Sequence, residues 1–119
     1  MKEALQKHHI SFKNAFAGLA WAVASQPNFR VHLVLSALAL LLGWFLGITN
    51  IEMVIIIFTI LLGLTAELIN TAIESVTDLV TREWREEAKI AKDVSAGMML
   101  LVAVGAVGVA ILIFAPYLF

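Results

Sequence analysis

Three long apolar stretches run through the chain, and their lengths are typical of membrane-spanning helices. They cover residues 31–48, 51–66 and 95–119, and the second continues in helical register through residue 80. Crossing ~30 Å of hydrocarbon takes roughly 20 apolar residues in a helix. Thr49 and Asn50, between the first two stretches, predict a tight turn and hence an antiparallel hairpin. The pattern therefore predicts three transmembrane helices, at residues 31–48, 51–80 and 95–119.

The first 27 residues have a different pattern, with apolar positions that return every three, four or seven residues. These positions are Leu5, Phe12, Phe16, Leu19 and Val23. Such spacing predicts one apolar face on a helix, and we expect an amphipathic helix lying on the membrane surface over residues 1–27. Pro27 should end it, because the residue before a proline is driven out of helical geometry. A tether helix packed on the bundle is the alternative interpretation.

The composition strengthens the membrane assignment. Of 119 residues, 61% are hydrophobic and only 14% are charged, which is more apolar than a soluble domain of this size can bury. The length predicts a single domain over residues 1–119. A net charge of −1 favours no nucleic-acid partner, and the lack of cysteine excludes disulfides and thiolate metal sites. The fold class is therefore predicted to be an all-α membrane protein with one surface helix and three spans.

The basic residues predict the orientation. Four precede the first span and four lie between the second and third spans. They are Lys2, Lys7, Lys13, Arg30, Arg82, Arg85, Lys89 and Lys92. The positive-inside rule therefore places the N-terminus and the loop at residues 81–93 in the cytoplasm.

A polar stripe interrupts the second span where it nears the cytoplasm. The polar residues that fall on about a third of the helix circumference are Glu67, Asn70, Thr71, Glu74, Asp78 and Thr81. The 16 residues from Ile51 to Glu67 cover about 24 Å of helix. The sequence thus predicts that Glu67 lies inside the hydrocarbon near its cytoplasmic boundary, and that Glu74 lies at headgroup level.

Carboxylates at this depth are costly and usually mark a functional site. Glu67 is a candidate general base, and Glu74 and Asp78 offer the hard oxygen ligands that Mg²⁺ prefers. Two alternatives stay open. Glu67 would be a protonated structural carboxyl between helices, and Asp78 a solvated interfacial residue.

The segment between the second and third spans supplies positive charge, opposite to that of the carboxylates. Lys92 and Asp93 lie just before the small residues Ser95–Gly97, where we expect the third span to begin. A helix N-terminus beside a lysine is a ready anion site. A lysine that only reaches toward the headgroups is the alternative. A base, metal ligands and an anion site together fit phosphoryl transfer from MgATP to an alcohol in the membrane. Soluble-kinase motifs such as GxxxxGK[ST], HRD and DFG are absent.

One long motif carries a family resemblance. "AELINTAIESVTDLV", residues 66–80, followed by "AKIAKDVSAG", residues 88–97, resembles the prokaryotic diacylglycerol kinase family of small membrane lipid kinases. The resemblance extends over nearly the whole chain. It implies a bacterial plasma-membrane protein that uses ATP and Mg²⁺ and forms a homotrimer with active sites between subunits.

The resemblance also implies roles for individual residues. Glu67 would be the general base with Asn70 beside it, and Glu74 would bind Mg²⁺ within the cofactor site. Lys92 and Asp93 would bind the nucleotide. The family often carries a second metal-binding glutamate where this chain has Gln26. An amide oxygen can still bind Mg²⁺ but carries no charge, so either the metal is held more weakly or the second ligand comes from elsewhere.

The lipid and the class of function each leave alternatives. "NFRVH", residues 28–32, is more similar to the undecaprenol kinase branch, and diacylglycerol is the other acceptor. A small oligomeric proton or cation channel with Glu67 as relay is the rival class. A structural membrane subunit that binds no ATP is the third. The stripe reaches only one interface and the third span offers no polar path across the membrane, which favours the kinase.

Overall fold

Four helices and their short connections make up the whole chain. The computed structural model describes the backbone of residues 1–119 and the side chains of residues 1–7 and 11–119. In chain order the helices are α1 (Lys2–Ser25), α2 (Pro27–Leu46), α3 (Asn50–Val80) and α4 (Glu86–Leu118). The protein is 91% helical and has no strand. The predicted all-α fold is therefore confirmed.

The junction between α1 and α2 is a single extended residue. Gln26 has φ −106° and ψ 104°, and Pro27 occupies the first turn of α2. Proline suits this place because its missing N–H would have no partner in a first helical turn anyway. The predicted end of the N-terminal helix is confirmed, and α2 begins four residues before the predicted span at 31–48.

The turn between α2 and α3 is fixed by local hydrogen bonds. Gly47 ends α2 with φ +65°, a left-handed conformation that glycine adopts without steric cost. Thr49 then caps α3: its hydroxyl accepts from the Glu52 N–H at 3.2 Å, and its own N–H donates to Glu52 Oε2 at 2.8 Å. Tyr117, near the end of α4, also donates its hydroxyl to Glu52 Oε2, at 2.7 Å. The far end of α4 is thereby joined to the predicted hairpin.

The connection between α3 and α4 is shorter than predicted. The loop expected at residues 81–93 is only the five-residue stretch 81–85, and α4 begins at Glu86 rather than near residue 95. The intervening residues contain no glycine or proline, and Glu86 and Glu87 lie in the first turn, where negative charge favours the helix dipole. Lys92 and Asp93 therefore lie about two turns inside α4. The predicted anion site at a helix N-terminus beside Lys92 is wrong.

The bundle buries little of its apolar surface. α3 packs against α4 and α2, whereas α1 makes only a small contact with α2. A core of Ile56, Ile113 and Phe114 lies between the helices, and most other large apolar side chains are exposed. Three helices, α2, α3 and α4, are long and apolar enough to cross a membrane. The prediction of three membrane helices is confirmed. Phe12 and Phe16 of α1 are exposed, and its place on the membrane surface stays a prediction.

Candidate functional site

A groove of about 470 Å³ lies between α2, α3 and α4, and we call it the polar groove. Its polar lining consists of Asn28, His32, Glu67, Asn70 and Glu74. Its apolar lining consists of Val31, Ala96, Met99, Leu100 and Ala103. Three members of the predicted stripe of α3 thus form one wall, while α4 supplies an apolar wall opposite it. The groove has an apolar side and a polar side, which is the arrangement that an amphiphilic ligand requires.

Glu67 is the most deeply placed charged group of the groove. Only 4% of the residue is exposed, and the neighbouring Ala66 is equally enclosed at 3%. Its Oε2 lies 4.0 Å from Nε2 of His32 on α2. Among the described side chains, none makes a direct hydrogen bond to the Glu67 carboxylate. The carboxylate oxygens of Glu67 can therefore accept a hydrogen bond from a ligand in the groove.

A chain of hydrogen bonds joins α4 to the two polar residues that follow on the stripe. Ser95 donates its hydroxyl to Asn70 Oδ1 at 2.6 Å, and Asn70 Nδ2 donates to Glu74 Oε1 at 3.4 Å. Ser95 is buried, with 2% exposure. Because Ser95 takes up the amide oxygen, the amide nitrogen faces the Glu74 carboxylate. Two carboxylates, Glu67 and Glu74, thus line one groove with a polarised amide between them.

The Lys92 ammonium lies one turn beyond the groove and pairs across the helices. Its Nζ donates to Asp78 Oδ1 at 2.7 Å, and both side chains are nearly half-exposed. Asp78 follows Glu74 by one helical turn, and Lys92 precedes the groove residue Ala96 by one turn, about 6 Å along each axis. Exposed ion pairs of this kind are weak. The lysine can therefore exchange Asp78 for an anionic ligand at small cost.

Two other predicted residues stand apart from the groove lining. Asp93 pairs with Lys89 on the exposed side of α4, one turn away along the same helix. Gln26 is half-buried at the α1–α2 junction, where its Nε2 donates to Ser25 Oγ at 3.4 Å. Asn28, two residues later, lines the groove in its place. The structure thus brings Glu67, Asn70 and Glu74 together and leaves Asp93 and Gln26 outside the groove of this single chain.

A sequence model of prokaryotic diacylglycerol kinases matches residues 13–114. The chain belongs to the prokaryotic diacylglycerol kinase family. The resemblance drawn from the motif at residues 66–97 is confirmed, and with it the expectation of a lipid kinase family that uses ATP.

Individual members of the family match most of this chain. A diacylglycerol kinase of Synechocystis sp. is 41% identical to this chain in an alignment that covers 82% of this chain. The same alignment covers 57% of the Synechocystis protein's length. The undecaprenol kinase of Bacillus subtilis is 33% identical over 98% of this chain and 95% of its own length. A diacylglycerol kinase of Haemophilus influenzae is 36% identical over 70% of each. The kinases similar to this chain therefore include some named for diacylglycerol and one named for undecaprenol.

The donor set near the stripe agrees with a metal ion that arrives with the nucleotide. Among the described residues, no group of three or more His, Asp or Glu side chains converges on one point. Mg²⁺ is commonly held by one or two carboxylates together with substrate phosphates and water. The exposed Glu74 carboxylate at the open end of the groove fits that pattern, and the charge of a cation there would offset the two groove carboxylates.

Sequence reasoning missed His32 and Asn28 as groove residues. The predicted first span began at residue 31, so Asn28 fell before the span and His32 fell in its first turn. A helix that begins at Pro27 places Asn28 and His32 one turn apart on the same face. Pro27, which favours the first turn of a helix, was the signal that could have identified them.

Proposed function

We propose that this protein transfers the γ-phosphoryl group of MgATP to the hydroxyl of a membrane lipid alcohol, and that undecaprenol is the acceptor. The observation that carries the proposal is the position of Glu67. It is a buried carboxylate at the base of a groove whose opposite wall is apolar. A lipid alcohol in this groove would keep its chain against α4 and bring its hydroxyl to Glu67.

Glu67 acts in this proposal as the general base. As the lipid oxygen attacks the γ-phosphorus, the O–H bond breaks and the proton moves to the Glu67 carboxylate. The bond between the γ-phosphorus and the bridging oxygen breaks, and its electron pair leaves with ADP. Asn70 orients the reacting groups, held in place by Ser95. A positioned base contributes about 10²–10⁴-fold to such a rate.

The nucleotide is proposed to lie at the open end of the groove. Glu74 would hold a magnesium ion, which would supply positive charge against the phosphates. Lys92 contacts the phosphates after leaving Asp78, and Asp93 contacts the remainder of the nucleotide. The partial exposure of the Lys92–Asp78 pair supports this exchange. Gln26 stands close to Asn28 in sequence and is proposed as a neutral second ligand.

The proposed assembly is a homotrimer in a bacterial plasma membrane, with each active site completed by a neighbouring subunit. The groove is open, and another copy would cover the exposed members of the stripe, Glu74 and Asp78. Asp93 and Gln26 lie outside the groove of a single chain, so the nucleotide and metal that they are proposed to contact are those bound at a neighbouring subunit's groove. The basic residues on α1 and around the α3–α4 connection support a cytoplasmic N-terminus and connection.

The choice of undecaprenol rests on the extent of one match. The Bacillus subtilis undecaprenol kinase aligns with 98% of this chain and with 95% of its own length. Diacylglycerol is the second candidate, favoured by the higher identity to the Synechocystis sp. diacylglycerol kinase, 41%. Both acceptors present a primary hydroxyl at the membrane surface, so the same base serves either.

The test is transfer of radiolabel from γ-labelled ATP to lipid alcohols. Purified protein in mixed micelles receives undecaprenol, diacylglycerol or neither, with and without Mg²⁺, and the products are separated by thin-layer chromatography. Labelled undecaprenyl phosphate that forms faster than labelled phosphatidic acid supports the proposal. The reverse order would assign diacylglycerol instead, and no labelled lipid with either acceptor would refute the kinase. A nucleotide-free proteoliposome flux assay tests the channel alternative.

A further inference from the structure

His32 is a titratable neighbour of Glu67 that has no role in the reaction as proposed above. Its Nε2 lies 4.0 Å from Glu67 Oε2, and within the described residues no other basic nitrogen lies within that distance of the carboxylate. The His32 side chain is 30% exposed, whereas the Glu67 side chain is 5% exposed. The ring therefore lies between a nearly closed carboxylate and the open part of the groove.

The backbone of α3 leaves room for this ring. Gly63 precedes Glu67 by one turn, on the same helical face, and is buried. A Cβ atom at Gly63 would lie 3.9 Å from His32 Nδ1, so the ring occupies the space over that glycine. The ring thus lies over Gly63 with Nδ1 on the glycine side and Nε2 toward Glu67.

Among the described residues, His32 is the one basic side chain that lines the groove. The titratable residues in the groove lining are His32 on α2 and Glu67 and Glu74 on α3, whereas the α4 residues of the lining are Ala96, Met99, Leu100 and Ala103. Both of its titratable neighbours in the groove are carboxyl groups, and the nearer one, Glu67, lies 4.0 Å from the ring. The nearest lysine on α4, Lys92, is paired with Asp78 beyond the groove.

We propose that His32 is the positioning residue and proton acceptor of Glu67. This inference rests on the proposed function. After the lipid proton has moved to Glu67, the Glu67 O–H bond breaks, and the proton binds Nε2 of His32 and then leaves to water through the groove. The carboxylate is thereby restored for the next turnover, and one proton is released for each ATP consumed. The 4.0 Å separation must shorten by about 1 Å for a hydrogen bond, an adjustment common when substrates fill a site.

The experiment compares His32→Ala and His32→Gln with the unaltered protein, using the lipid that the radiolabel assay identifies. We expect kcat to fall about 10- to 100-fold in both variants, less than for loss of the base itself. The KM for ATP should stay within about twofold, because His32 touches no proposed nucleotide ligand. Added imidazole should restore kcat in His32→Ala and not in His32→Gln, whose side chain still fills the space. Ser36→Ala is the matched control on the same helix face and should keep the kcat of the unaltered protein.

The outcomes separate this inference from the proposed function. If the unaltered protein labels no lipid, both fail. If it labels lipid and His32→Ala retains its kcat, only the role of His32 is overturned. Loss of kcat without rescue by imidazole, at an unchanged melting temperature, would also overturn it, because a proton acceptor can be replaced and a packing residue cannot. If His32→Ala does not fold, the pH profile of kcat in His32→Gln decides. The profile should lack one ionisation seen in the unaltered protein, and an unchanged profile refutes the inference.

Discussion

Replacing Ser95 with alanine tests whether the hydrogen-bond chain from α4 to Glu74 sets the nucleotide site. The hydroxyl is buried, 2% exposed, and donates to Asn70 Oδ1 at 2.6 Å. Alanine removes this donor and leaves an amide oxygen without its partner between two helices. An orphaned buried polar group costs about 1–3 kcal/mol, and the half-buried Asn70 belongs at the lower end, at about 1 kcal/mol.

The second expected effect of Ser95→Ala is on substrate binding. Without Ser95 the Asn70 amide is free to turn, and its Nδ2 no longer stays on Glu74 Oε1. We expect the KM for MgATP to rise about tenfold, which corresponds to a loss of about 1.4 kcal/mol. The KM for the lipid should change little, because the apolar wall of the groove is intact.

Steady-state kinetics and thermal unfolding in the same detergent measure the two effects. Ser36→Ala is the control, since it deletes a hydroxyl that bonds only to a backbone carbonyl one turn earlier. A Ser95→Ala protein that unfolds more easily but keeps its KM for MgATP would refute the link to Glu74 and leave Ser95 as a packing residue. Unchanged stability together with unchanged KM would refute the hydrogen bond itself.

Three further predictions concern single positions. Glu67→Gln should lower kcat by about 10²-fold or more while ATP binding, measured by calorimetry, persists; unchanged turnover would remove the assigned base. Lys92→Gln should raise the KM for ATP about tenfold and leave the melting temperature nearly unaltered, because its bond to Asp78 is half-exposed; an unaltered KM would contradict its role. Gly47→Ala should lower the free energy of unfolding by about 1–2 kcal/mol, since φ is +65° there, and Gly47→Asn should lower it less; equal losses in chemical denaturation would argue against strain.

The sequence was sufficient to predict features that depend on periodicity within one helix. The stripe of Glu67, Asn70 and Glu74 follows from 3.6 residues per turn, and the structure brings all three into one groove. The three spans followed from hydrophobic length alone. Such properties are local, so they need no knowledge of neighbouring helices.

Features that depend on contacts between helices could not be predicted in this way. Ser95 bonds to Asn70 across 25 residues of chain, and His32 meets Glu67 from a different helix. The start of α4 was misjudged for another reason. The charges between residues 86 and 93 suggested a solvated loop, although these residues have good helix propensity and a favourable first turn. Polarity and helicity are separate properties, and a charged helix can extend beyond the membrane.

The bond between Tyr117 and Glu52 is one of several side-chain bonds that set the distance between α3 and α4. It joins α4 to the start of α3 about 20 Å from the groove along the helix axes, where the Thr49 cap also fixes the turn. At the opposite end the same two helices are joined by the half-exposed pair of Lys92 and Asp78. Ser95 and Asn70 add a buried bond between the same two helices at the level of the groove. The separation of α3 and α4 is therefore set by side-chain bonds at three levels along their length, and this fixes the width of the groove.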